Sequence, residues 1–160
     1  MSRTTVRFAA AAILCAVGLV VAPADSARAT EQDSSLQQRI NQTLAAYPGG
    51  VQTAPNEITW DAEDVVLRLE DPEDAHVRAA IGNCPSGAHC VYSATDLRGS
   101  QLIFNSCTTQ SISPLGSPVR SIANARPSTI VRAYNDIGAV GSVSANSWTN
   151  TTWGMTKIGC

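Results

Sequence analysis

The stretch CPSGAHC places Cys84 and Cys90 around Pro85, Ser86 and Gly87. Such a pair can be part of a metal site, a redox couple or a covalent staple, and the compartment decides among them. A four-ligand zinc site needs further close donors. Beyond residue 29 the chain has only His76 and His89, with no second close cysteine pair. A redox couple favours C-x-x-C, and this spacing is longer. The acids of WDAED (60–64) and LEDPED (69–74) offer paired carboxylates, as calcium sites and glycosidases do. They sit at turns, where aspartate is favoured for backbone reasons, and read as solvated turns. There is no H-E-x-x-H, no G-x-S-x-G and no phosphate-binding glycine loop. The serines fall in the turn-rich stretches SCTTQSISPLGSP and SVSANSW, and His89 reads as exposed inside its loop. No catalytic residue, metal ligand or cofactor is expected.

The compartment follows from the N-terminus. Arg3 and Arg7 precede the uncharged apolar run FAAAAILCAVGLVV (8–21), and Ala27-Arg28-Ala29 offers an A-x-A cleavage site. This is the layout of a secretory signal peptide, residues 1–29, and it implies a secreted protein with no membrane attachment after cleavage. The remainder keeps Cys84, Cys90, Cys107 and Cys160, an even count that reads as a disulfide framework. Pro and Gly let Cys84 reach Cys90 locally, which leaves Cys107 for Cys160. Loop-closure entropy puts the small bridge at roughly 2 kcal/mol and the large one at about 4 kcal/mol.

Charge divides what is left. Residues 30–83 hold ten acids and three arginines; residues 84–160 hold two acids, four arginines and one lysine. The split reads as solubility and mutual attraction between the two parts rather than a detachable cover. The five scattered cations of the second part form no run and have no aromatic interleaving, so nucleic acid is not an expected partner. In the acidic part, Leu36, Ile40 and Leu44 recur every four residues. They predict a short amphipathic helix of about three turns, capped by Ser34 or Ser35 and stopped by Pro48-Gly49-Gly50. NEITWD and VVLRL then alternate around DAED, as a β-hairpin does. Residues 73–83 read as a polar connection or a short helix.

The basic part carries a degenerate repeat. YSATDLRG (92–99) and YNDIGAVG (134–141) each run from Tyr to a Gly seven residues on, 42 residues apart, with apolar strands on both sides. Each reads as a hairpin bent at its glycine, where a positive φ is permitted, with the tyrosine ring covering the bend. Tyr92 with Gly99, Tyr134 with Gly141, and Ser121 in PVRSIANAR resemble the βγ-crystallin Greek key. The aromatic expected between Tyr and Gly is replaced by Leu97 and Ala139. CPSGAHCVYSATDLRG is similar to the start of the small secreted actinobacterial peptidase inhibitors typified by the Streptomyces metalloproteinase inhibitor. The helix, YPGG, NEITWD and VVLRL resemble the leader region of larger members. This resemblance implies a mostly β fold: a two-motif, βγ-crystallin-like Greek-key domain (84–160) after an acidic helix and hairpin (30–83). It also implies inhibition of a secreted, thermolysin-like metallopeptidase by an exposed loop, in a monomer without a cofactor. The family's second small cysteine loop, which displays the reactive bond, has no counterpart here.

Two stretches are candidates for contact with a partner. Ser111, Ile112, Ser113, Pro114 and Leu115 follow Cys107 in a proline-containing segment and read as an exposed loop. Trp148 and Trp153 suit either a carbohydrate surface or the core, with the core favoured. A calcium motif starts at Asn135-Asp136 and again near Asn150 but is incomplete in both places, so weak or no calcium binding is expected. The alternative to inhibition is a structural or cell-surface-binding module of the same fold.

Overall fold

A computed structural model describes residues 24–70 and 80–160. The apolar run of residues 8–21, His76 and most of the 73–83 connection lie outside the described residues. Helix α1, Ala24–Ala46, is longer than the expected three turns and begins inside the predicted signal segment. Ser34 and Ser35 therefore lie within it and do not cap it; the preceding ADSARATEQD contains no Gly or Pro that would stop a helix. The C-terminal end falls where expected. Tyr47 N–H donates to the Thr43 carbonyl at 2.9 Å, and Gly49 turns the chain with φ 91°. Ile40 is wholly buried in the main core, with Leu36 and Leu44 packed against it.

The predicted hairpin forms from β2 (Glu57–Trp60) and β3 (Val65–Arg68), and β1 (Val51–Ala54) pairs onto β2. Ile58 and Trp60 face the core, as do Val65 and Leu67, so alternation sets the face of each strand. Residues 80–83 correct the sequence reading: Ala80–Asn83 is a strand, β4. It leads straight into Cys84, whose disulfide holds its end.

Eight further strands follow: β5 (His89–Ala94), β6 (Arg98–Phe104), β7 (Gln110–Ser111), β8 (Ser121–Asn124), β9 (Val131–Tyr134), β10 (Ala139–Val143), β11 (Ser147–Asn150) and β12 (Lys157–Gly159). They build two antiparallel sheets. One has seven strands in the order β1-β2-β3-β6-β5-β8-β11, the other four in the order β10-β9-β12-β7. The N-terminal hairpin is continuous with the larger sheet, because β3 pairs β6 from Val65↔Phe104 to Arg68↔Gln101. One apolar cluster takes Ile40, Trp60, Leu102, Ile122, Val131 and Ile158, and so spans the helix and both sheets. Cys84 bonds to Cys90, and Cys107 to Cys160 with Cα atoms 5.0 Å apart. No described helix is long and apolar enough to cross a membrane.

Candidate functional site

The cysteine loop is a compact turn. Ala88 N–H donates to the Pro85 carbonyl, Gly87 N–H to the Ala125 carbonyl, and Ala125 N–H returns to Ala88. Only Pro85, Ser86 and Gly87 of the loop face solvent, with Gly87 at φ 82°. His89 is not exposed. It is wholly buried and stacks on Phe104 with ring centroids 5.1 Å apart. Strand β5 is buried on both faces from His89 to Tyr92, because it lies between β6 and β8 inside the larger sheet. Arg126 Nε donates to its Nδ1 at 3.3 Å. Burial, with the Arg126 charge second, lowers the imidazole pKa to about 4, so the ring is neutral near pH 7. Arg126 itself was not singled out in the sequence. It also donates to the carbonyls of Asn105 and Ser106 at 2.8 Å each, and so fastens the exit of β6 beside the cysteine loop.

The 111–115 segment departs from the exposed loop predicted for it. Gln110 and Ser111 pair with β12, Ile112 is 8 % exposed, and Ser113–Leu115 is a turn of 3₁₀-helix whose Leu115 is 3 % exposed. Pro114 at the start of that turn and Gly116 at φ 69° after it set its length. The two apolar side chains pull the segment onto the core. What faces solvent is Ser111, Ser113 and the following Gly116, Ser117 and Pro118. Ser111 and Pro114 also line an apolar cleft of about 450 Å³ with Tyr47, Pro48, Trp60 and Val65. The Trp60 indole donates to the Tyr47 carbonyl at 3.1 Å and holds the floor of this cleft.

The fold-motif residues are brought together in the first repeat unit. Asp96 and Leu97 both adopt φ 58°, a left-handed pair within the three-residue turn Thr95–Leu97 that joins β5 to β6. Ser121 Oγ accepts from Leu97 N–H at 3.1 Å and donates to the Ala94 carbonyl at 2.7 Å. Asn150, considered above for calcium, instead exchanges two hydrogen bonds with Asp96. Tyr92 is wholly buried, and burial raises its phenol pKa; Gln101 Nε2 donates to its oxygen at 3.0 Å. Gly99 has φ 81°, and a Cβ there would lie 2.3 Å from Ser93 Oγ, so this position requires glycine.

The second unit is built differently. Gly141 has no positive φ; a Cβ there would lie 2.5 Å from the Trp153 ring, so the glycine makes room for an indole. Trp153 lies over this bend. Trp148 is 45 % exposed on β11, so the core reading holds for one tryptophan of the pair. The hairpin tip is Asn135–Gly138. Asn135 Oδ1 accepts from the backbone N–H groups of Ile137 and Gly138 at 2.9 and 3.0 Å, and Asn135 N–H donates to the Gly138 carbonyl. Ile137 is 96 % exposed.

Among the described residues no three His, Cys, Asp or Glu side chains gather where they could hold a metal ion. Ser121 and His89, both buried, are tied into the fold. Residues 77–152 match the model of peptidase inhibitor family I36. This segment is similar to family I36. The family is one of peptidase inhibitors, not of enzymes. The match spans the cysteine loop, both hairpin units and Ser121, and it stops short of Cys160, the last half of the second disulfide. No curated protein and no solved structure matches the chain. A match to that family points to a peptidase as partner in general terms.

Proposed function

We propose that this protein is a secreted, monomeric inhibitor of thermolysin-like metallopeptidases that offers a preorganised turn to the enzyme's substrate cleft. The observation that carries the reading is the family I36 match over residues 77–152. The frame supports it. A turn held by disulfides and by a shared core is already ordered before binding, which lowers the entropy cost of association. Two disulfides also suit an oxidising, extracellular setting, in keeping with the apolar leader of residues 8–21. We read the two hairpin units as crystallin-type Greek keys, on the strength of the Ser121 tie between Ala94 and Leu97.

One observation favours the competing reading of a non-inhibitory structural or cell-surface module. Ile112 and Leu115 are drawn into the core, so the 111–115 segment has little to offer a partner. A titration of residues 30–160 against a thermolysin-like peptidase, with a subtilisin-like peptidase as control, separates the two. Stoichiometric loss of metallopeptidase activity is expected. Full activity of both enzymes in the presence of folded, intact protein would leave the module reading.

A further inference from the structure

Resting on the inhibitor reading, we infer that the β9–β10 hairpin tip, Asn135–Gly138, is the element that enters the peptidase cleft. Ile137 is the side chain it places in an apolar pocket there. The two repeat units show why. Each hairpin turn carries an aliphatic residue next to an aspartate: Asp96-Leu97 in the first, Asp136-Ile137 in the second. Leu97 is folded back, with its backbone tied to Ser121 and its side chain packed against the cluster of Tyr92 and Ala123. The Ile137 amide is tied within its own turn, to Asn135 Oδ1, and the residue stands 96 % exposed. The same fold thus buries one turn and presents the other. A β-branched residue at the apex of a tight turn is served neither by turn propensity nor by burial.

The tip is also rigid. The Asn135 side chain fixes the Ile137 and Gly138 amides. Thr156 N–H donates to the Tyr134 carbonyl at 2.7 Å, β12 pairs along β9, and Trp153 packs over Gly141 at the base. A peptidase that hydrolysed a bond beside Ile137 would find both new ends still held by the sheet, which slows product release. Rival turns offer no large apolar side chain: the cysteine-loop tip has Pro85, Ser86 and Gly87, the 116–118 turn Gly116, Ser117 and Pro118, and the 61–64 turn Asp61, Ala62, Glu63 and Asp64. Of the remaining exposed large apolar residues, Val51 and Trp148 lie on β1 and β11, the two edge strands of the larger sheet, and Ile130, immediately before β9, is 46 % exposed, less than half as much as Ile137.

The test measures inhibition of a thermolysin-like and a subtilisin-like peptidase by residues 30–160 and by Ile137→Ala, Ile137→Val and Ser86→Ala, with thermal midpoints to confirm folding. Expected are a loss of at least roughly tenfold in affinity for Ile137→Ala, near-wild-type inhibition for Ile137→Val and Ser86→Ala, and unchanged midpoints. Mass analysis of long incubations should find any slow cleavage at Asp136–Ile137 or Ile137–Gly138. Inhibition by Ile137→Ala equal to wild type, or cleavage at another turn, would overturn the hairpin assignment while leaving the inhibitor reading in place. Wild-type protein that inhibits neither enzyme would overturn both.

Discussion

Ser121 and His89 are both wholly buried polar residues on neighbouring strands, and their partners give them different consequences. Ser121 uses its oxygen and its proton at once, on Leu97 N–H and the Ala94 carbonyl. Ser121→Ala strands both backbone groups beside a leucine held at φ 58°. It should cost about 1–3 kcal/mol, read as a lower urea midpoint at unchanged slope. His89 titrates at about 4 in the folded protein against 6.5 for the free side chain, chiefly because burial penalises the imidazolium and secondarily because Arg126 repels it. Between those two values the unfolded chain binds more protons than the folded one. The native state is therefore most favoured above pH 6.5 and loses about 3 kcal/mol as pH falls toward 4. Stability measured from pH 7 to pH 4 should fall less steeply in His89→Leu than in wild type; parallel curves would refute the assignment. The sequence showed His89 only as a residue inside a loop. That it begins β5 and is buried depends on the strands on either side, β6 and β8.

At the scale of elements, the two hairpin units were legible as a pair from Tyr92, Gly99, Tyr134 and Gly141, but for one reason too few. A glycine seven residues after a tyrosine signals a bend. It does not say whether the glycine is needed for its φ, as at Gly99, or for lack of a side chain, as at Gly141. The second case depends on Trp153, which arrives from beyond β11. Gly141→Ala puts a methyl group into the indole ring and should cost about 1–3 kcal/mol. Paired with Trp153→Ala, it should cost much less than the sum of the single changes, because the clash is gone. An additive double variant would show that the glycine answers to something other than the indole. The 111–115 segment was misplaced for a related reason. Two prolines and several serines read as a loop, and nothing local reveals that Ile112 and Leu115 meet a core built by distant strands.

At the scale of the molecule, the acidic and basic parts are joined by strand pairing and a shared core. β3 pairs β6, and Ile40 of α1 is buried in the same cluster as Ile158 of β12. The second disulfide closes a separation of 53 residues, the first only 6. Replacing Cys107 and Cys160 together by alanine should cost about 4 kcal/mol, and replacing Cys84 and Cys90 roughly 2 kcal/mol. Thermal midpoints of the two double variants under the same oxidising conditions would rank them. The reverse order would mean that the small loop stabilises by fixing the cluster around Tyr92 and Arg126, not by shortening the unfolded chain.

The sequence by itself determined the strand faces of the β2–β3 hairpin, the end of α1, the partner of each cysteine and the presence of two related hairpins. Each of these rests on interactions between near neighbours or on counting a few possibilities. Only the tertiary structure decided that β3 joins β6, that His89 and Leu115 are inside, and that Leu97 is tucked while Ile137 is presented. Those outcomes turn on contacts between residues far apart in the chain, where burial outweighs local propensity. No pattern within one segment specifies what will pack against it.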